Sequence, residues 1–189
     1  MIINSTNIKD VFVIQPSVYS DKRGYFYESF NKRNFQQKFS MVDFCQDNES
    51  QSTFGVLRGL HYQLPPKAQT KLVRVIKGRV LDIALDIRKG SPTFGEHISV
   101  ELSDENKRQL FIPRGFAHGF VVLSDLAIFS YKVDNYYDSR LERGIIYNDK
   151  DLNIDWKLKD LKLNISMKDK NLSSFKDAEF FKYSKNQYD

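Results

Sequence analysis

Lys71–Arg88 reads KLVRVIKGRVLDIALDIR, and this stretch decides the fold class. Leu72, Arg74 and Ile76 alternate with Val73 and Val75, and Lys77-Gly78 supplies a turn. Val80, Asp82, Ala84 and Asp86 then alternate with Leu81, Ile83, Leu85 and Ile87. Successive side chains of a strand point to opposite faces, so period-2 alternation on both sides of a Gly turn predicts a β-hairpin. Working outward, His97–Leu102, Gln109–Ile112, Gly119–Leu123 and Ala127–Val133 repeat the extended pattern, with turn clusters at Lys89–Pro92 and Ser103–Lys107. Upstream, Val11–Ile14, Gly24–Ser29 and Val56–Gln63 also read as extended. Short strands at this spacing predict an all-β sandwich, jelly roll or barrel. Helix is expected only at Asn34–Phe39 and somewhere within the Lys-rich Asp160–Asp189, part of which should lie over the barrel as loop. With no internal repeat or linker, one domain over residues 1–189 is expected, with a poorly patterned basic tail from about 170.

Composition narrows the function classes. A chain of 189 residues is long enough to bury its own core. Its 41% hydrophobic and 28% charged content argues against disorder and against a coiled coil. A net charge of +5 suits a phosphate-bearing small molecule as well as nucleic acid. Nucleic-acid binding calls for a basic patch interleaved with exposed aromatics, and here the cations are spread along the chain. The single Cys45 excludes an intramolecular disulfide and a Cys-rich zinc site. Met1–Asp10 lacks a basic-then-apolar leader pattern. Apolar runs such as Phe120–Leu123 fall far short of the roughly 18 residues that span a bilayer. The expectation is a cytoplasmic chain with neither a nucleic-acid nor a membrane partner.

Histidine is scarce, so each one is weighed singly. A metal-binding barrel usually needs a His-x-His pair with a nearby carboxylate, and Arg58-Gly59-Leu60-His61-Tyr62-Gln63 has Gln where the second His would stand. Without a metal, His61 remains a candidate general base, against the alternative of a hydrogen-bonded structural His. Alternation along Val56–Gln63 puts Arg58 and Leu60 on one face and Leu57, Gly59 and His61 on the other. Both could reach one cavity only if the strand twists or bulges near Gly59. Pro113-Arg114-Gly115-Phe116-Ala117-His118-Gly119-Phe120 reads as a tight turn into a strand, with His118 at its start. His97 reads as solvent-facing. Arg23, Lys71 and Lys168 taken singly are ordinary surface cations, and Tyr131 taken singly is a packed strand aromatic.

Read together, the strings are specific. Arg23-Gly24-Tyr25-Phe26-Tyr27-Glu28-Ser29, Gln46-Asp47-Asn48, Val56–Gln63 and Lys71-Leu72-Val73-Arg74 occur in order. Asp86-Ile87-Arg88, Ser91-Pro92-Thr93-Phe94-Gly95, Pro113–Phe120 and Asn148-Asp149 follow them. From about Val11 to Asp169 this closely resembles the dTDP-4-dehydrorhamnose 3,5-epimerases, the cupin-type epimerases of the rhamnose pathway. The resemblance implies a metal-free, cofactor-free jelly-roll homodimer that inverts carbons 3 and 5 of dTDP-4-dehydro-6-deoxy-D-glucose. Both carbons flank the 4-keto group, so one site that stabilises an enolate oxygen serves both inversions.

The resemblance also carries roles onto residues. His61 matches the general base, Asp169 in Met167-Lys168-Asp169 the carboxylate that orients it, and Tyr131 the acid on the opposite face. Lys71 matches the cation beside the keto oxygen. Arg23, Glu28, Gln46, Asp47, Asn48, Arg58, His118, Glu142 and Lys168 match substrate-binding positions, and Tyr137 matches the wall of the sugar pocket. Arg23 and Arg58 suit the diphosphate, because guanidinium makes bidentate contacts to phosphate oxygens. In the family the Arg23–Glu28 strand reaches into the partner subunit's site. The chain departs from the family pattern at Thr70, where Gly is frequent, at Lys157, where Pro is common, and in the lead-in Asn164-Ile165-Ser166-Met167. Two alternatives stand beside the double inversion: an epimerase acting at carbon 3 or carbon 5 alone, and a non-catalytic cupin that binds a nucleotide sugar. A metal-dependent cupin ranks third.

Overall fold

The computed structural model describes residues 1–158, 163–184 and 188. Four strands come first, β1 (Ile2–Ser5), β2 (Phe12–Gln15), β3 (Tyr19–Asp21) and β4 (Gly24–Phe26), followed by helix α1 (Lys32–Gln36). Then come β5 (Gln46–Thr53), β6 (Val56–Gln63), β7 (Lys71–Lys77), β8 (Arg79–Asp86) and β9 (Arg88–Lys89). They lead into β10 (His97–Ser103), β11 (Gln109–Ile112), β12 (Phe116–Val122), β13 (Leu126–Val133) and β14 (Glu142–Gly144). The C-terminal part holds β15 (Asn164–Ile165), α2 (Met167–Lys170), a short 3-10 turn and β16 (Phe181–Lys182). One sheet runs β1-β2-β11-β7-β13-β5, and the other runs β10-β8-β12-β6-β14 with β15 parallel to β6. Two facing sheets of this kind make a jelly roll.

The deciding stretch forms two strands, as its alternation predicts, but they do not pair with each other. β7 lies between β11 and β13 in the first sheet, while β8 lies between β10 and β12 in the second. The Gly78 turn is therefore a corner between sheets and not a hairpin tip. Its φ is +82°, and a Cβ there would fall 2.0 Å from the Leu126 carbonyl oxygen, so only glycine fits. Local alternation reports that each strand exists, and cannot tell which strand will supply its hydrogen bonds.

Why β8 reads as nearly continuous apolar sequence is also clear. Val80 and Ala84 face the inter-sheet core with Val73, Val75, Leu110, Phe116 and Ala127. Leu81, Ile83 and Leu85 face outward, yet Leu152, Trp156, Ile165 and Phe181 cover them. A strand buried on both faces loses its polar alternation. The C-terminal segment is thus part of the packing, and Phe181–Lys182 pairs in parallel with Arg88–Lys89. Expectations for 160–189 that fall on 159–162, 185–187 and 189 lie outside the described residues.

Several boundaries differ from the sequence reading, among them Gly24–Ser29, where the strand ends at Phe26. The first helix is Lys32–Gln36, two residues earlier than expected, because Asn31 caps it by accepting the Asn34 amide at 3.2 Å. Gln46–Thr53 is a full strand although its sequence, QDNESQST, is polar throughout. β12 begins at Phe116, so His118 sits inside the strand, buried, and not at its start.

Candidate active site

The β6 strand breaks its alternation at one point, and the site follows from it. On β12, His118 pairs with His61 and Phe120 with Arg58, so two steps on β12 answer three on β6. That bulge turns both Arg58 and His61 into one cavity, while Leu57, Leu60 and Tyr62 belong to the outer core cluster, Leu57 and Tyr62 also lining the cavity. Gly59 sits in the bulge at φ +122°, and a Cβ there would stand 2.5 Å from the Gly119 Cα. A Cβ on Gly119 would stand 2.8 Å from the Arg58 carbonyl oxygen. The two glycines let the backbones approach closely enough for the bulge to form.

The cavity lies between the sheets, with a volume of about 660 Å³. On one wall, His61 Nε2 lies 2.7 Å from Asp169 Oδ1. The Gly59 amide donates to Asp169 Oδ2 at 3.3 Å. Asp169 arrives on α2, whose cap Ser166 accepts the Asp169 amide at 3.0 Å, and β15 aligns that segment beside Val56–Leu57. Burial pushes the Asp169 carboxyl up, but the His61 and Gly59 hydrogen bonds outweigh it and hold the group below its ordinary value. An ionised carboxylate only accepts, so His61 Nε2 carries the hydrogen and Nδ1 is the nitrogen left for chemistry. Tyr131 faces the cavity from β13, on the opposite sheet. Burial raises its phenol pKa, so it keeps its proton at neutral pH.

A second carboxylate–imidazole pair lies deeper. Asp82, fully buried, sets both oxygens 3.0–3.1 Å from His118 Nε2. Burial raises the Asp82 carboxyl and lowers the His118 imidazole, each against the pull of the other. Lys71 completes the inner end, its Nζ donating to the His61 carbonyl oxygen at 3.3 Å. Burial lowers the Lys71 amine to about 8, with Asp82 and then Glu142 opposing. Thr70 is buried behind it and donates its amide to Asp134 at 2.6 Å, which anchors the start of β7.

At the mouth, Glu142 Oε2 accepts from Tyr137 Oη at 2.7 Å and from Lys168 Nζ at 2.6 Å. The Glu142 carboxyl feels burial first, yet these two donors hold it below its ordinary value. Arg58 Nε donates to Ser52 Oγ at 3.1 Å. Asn48 lines the cavity, and Gln46 stands behind it, donating to Asn48 Oδ1 at 2.9 Å. Four expected residues do not line this cavity, Gln46 behind Asn48 being the first. Asp47 belongs to the exposed face of β5, where Lys132 Nζ donates to it at 2.8 Å. Arg23 stands at the tip of the β3–β4 hairpin, paired with Asp21, its side chain 84% exposed. Glu28 lines a separate cavity of about 350 Å³ under that hairpin.

Sequence reasoning missed Asp82 as a site residue; the one signal was that it shares its strand face with Val80 and Ala84. It also missed Ser50, Phe120 and Phe129 of the lining. Among the described residues, no three His, Cys, Asp or Glu side chains gather where they could hold a metal ion. His97 is half-buried on β10 and stands outside the cavity lining.

Fold and site together define a jelly-roll protein with an acid–base cavity between its sheets. Residues 5–177 match the family described as dTDP-4-dehydrorhamnose 3,5-epimerase. The Shigella flexneri dTDP-4-dehydrorhamnose 3,5-epimerase is 54% identical over 182 residues, 96% of this chain and 99% of that protein. The crystal structure of the dTDP-6-deoxy-D-glucose-3,5-epimerase of Legionella pneumophila Philadelphia 1, in complex with dTDP-4-keto-L-rhamnose, superposes with a TM-score of 0.92. It is 46% identical, covering 96% of this chain and 98% of that one. A 3'-monoepimerase from Streptomyces bikiniensis, solved with dTDP-quinovose, is 31% identical at a TM-score of 0.86, covering 92% and 87%. The chain belongs to the dTDP-4-dehydrorhamnose 3,5-epimerase family.

Proposed function

We propose that the protein inverts carbons 3 and 5 of dTDP-4-dehydro-6-deoxy-D-glucose through an enolate, using its own side chains as acid and base. One observation carries this reading: the His61–Asp169 pair and Tyr131 project into one cavity from opposite sheets. Inversion requires removal of a proton from one face of a carbon and delivery to the other, which a single imidazole cannot do. His61 Nδ1 takes the proton, Asp169 stabilises the imidazolium that forms, and the protonated Tyr131 delivers from the far side. Lys71 sits where a cation would neutralise the enolate oxygen shared by both carbons. Asp82 fixes the tautomer of His118 at the inner end. Arg58 takes the diphosphate, and Tyr137, Glu142 and Lys168 frame the nucleotide end.

The same reading makes the protein a homodimer. Tyr19, Tyr25 and Phe26 of the β3–β4 hairpin are 68%, 56% and 68% exposed, a cluster of exposed aromatics of the kind that marks an interaction surface. Their burial against a second copy would carry Arg23 and Glu28 into that copy's site. Mixing Arg23→Ala with His61→Asn subunits tests this arrangement. Statistical pairing should restore about a quarter of the wild-type sites, and no recovery would exclude a shared site.

The reaction itself is tested by proton NMR of the substrate in deuterated water. Loss of both the carbon-3 and carbon-5 proton signals is expected. Exchange at one carbon alone would favour the monoepimerase reading, and binding without exchange would favour a nucleotide-sugar-binding role.

A further inference from the structure

The cavity changes character one row beyond the acid–base set. Asn48 pairs with Tyr131 across β5 and β13, and Ser50 pairs with Phe129 in the next row. Across the cavity β12 makes the same step, from His118 to Phe120. The Phe120 and Phe129 rings stack at 4.2 Å with 18° between their planes. Phe129 lies 6.0 Å from the His118 ring and 6.1 Å from the Tyr131 ring, so this apolar corner borders the groups that move protons. Both phenylalanines are buried in the fold and both line the cavity.

A 4-keto-6-deoxyhexose offers one apolar substituent, the methyl on carbon 5; its others are hydroxyls, a carbonyl and the diphosphate link. Accepting the epimerase reading, on which this inference rests, we propose that the Phe120–Phe129 stack is the subsite for that methyl and makes the enzyme select 6-deoxy over 6-hydroxy 4-keto sugars. The methyl must swing as the hydrogen on carbon 5 changes face. An apolar wall of ring carbons permits that swing, whereas a hydrogen-bonded socket would hold the group in one orientation. A hydroxymethyl in the same place brings a hydroxyl against the apolar carbons of the stacked pair and strips its water. Ser50 beside Phe129 is the group through which such a hydroxyl would recover a hydrogen bond.

The test compares kcat/KM for exchange of the carbon-3 and carbon-5 protons with three dTDP-linked 4-keto probes: the 6-deoxy sugar, its 6-hydroxy counterpart and the pentose lacking carbon 6. Wild type should process the 6-hydroxy probe about 10–100-fold less efficiently, and the pentose about tenfold less. Phe120→Tyr, which supplies a phenol to the corner, should narrow the first ratio, and Ser50→Ala should widen it. A wild-type ratio within about threefold of unity overturns the subsite, a comparison that needs no variant to fold. Discrimination that Phe120→Tyr and Ser50→Ala both leave unmoved overturns it as well. Absence of exchange with the 6-deoxy probe itself overturns the epimerase reading instead.

Discussion

Asp169→Asn isolates the charge of one carboxylate with almost no change of shape. Asp169 is 4% exposed, with one oxygen 2.7 Å from His61 Nε2 and the other accepting the Gly59 amide at 3.3 Å. An asparagine there must offer its carbonyl oxygen to the Gly59 amide, which aims its NH2 group at His61 Nε2. The imidazole then carries its hydrogen on Nδ1, the nitrogen required as base, and the imidazolium loses its counter-charge. Loss of the correct tautomer together with the counter-charge predicts a fall in kcat of about 10³–10⁴-fold. That corresponds to roughly 4–5.5 kcal/mol at about 1.4 kcal/mol per decade. Nucleotide affinity should hold, because Tyr137, Glu142, Lys168 and Arg58 are untouched. The assay is the rate of deuterium incorporation at both carbons, with dTDP binding by calorimetry and thermal unfolding as controls. Exchange within tenfold of wild type in a folded Asp169→Asn protein would refute the tautomer argument and remove Asp169 from the mechanism.

Four further outcomes follow from the structure. Burial lowers the Lys71 amine to about 8, so kcat should fall as pH rises through that value, and Asp82→Asn, which removes the largest opposing charge, should move the fall to lower pH. Because the unfolded chain binds this proton more tightly, Lys71 makes stability rise with pH between about 8 and 10.5, which urea titrations across that window would read. Gly119→Ala forces a Cβ to 2.8 Å from the Arg58 carbonyl, so it should cost about 1–3 kcal/mol and lower kcat more than it raises KM, measured by melts and steady-state rates. Arg88→Met should destabilise by about 3–5 kcal/mol in denaturant titrations, since it leaves the fully buried Asp86 without its cation.

The fold class was legible because strand alternation is a local property. β7, β8, β10, β11 and β13 follow from the spacing of apolar residues alone, whereas β5 does not. Its inward residues Gln46, Asn48, Ser50 and Ser52 sit on the cavity side of the sheet, so the pattern that marks a strand over a hydrophobic core is missing. Most candidate site residues were legible only through ordered motifs, because His61, Tyr131 and Lys71 taken singly are ordinary strand residues. Asp82 stayed hidden because a carboxylate in an alternating strand reads as a solvent-facing position.

The sequence by itself determined most of the extended segments, β5 excepted, the glycines at the turns, and which residue types are available for proton transfer. Pairing and convergence belong to the tertiary structure. Lys77-Gly78 reads as a hairpin, and only the competition of β11, β13, β10 and β12 for the same backbone groups sends β7 and β8 to different sheets. Arg58 and His61 read as opposite-facing, and only the close approach of Gly59 to Gly119 inserts the bulge that turns both inward. Asp169 lies 108 residues from His61 in the chain, and β15 pairing with β6 brings the two within 2.7 Å. Each of these outcomes depends on hydrogen bonds and contacts between distant segments, which no local pattern of side chains encodes.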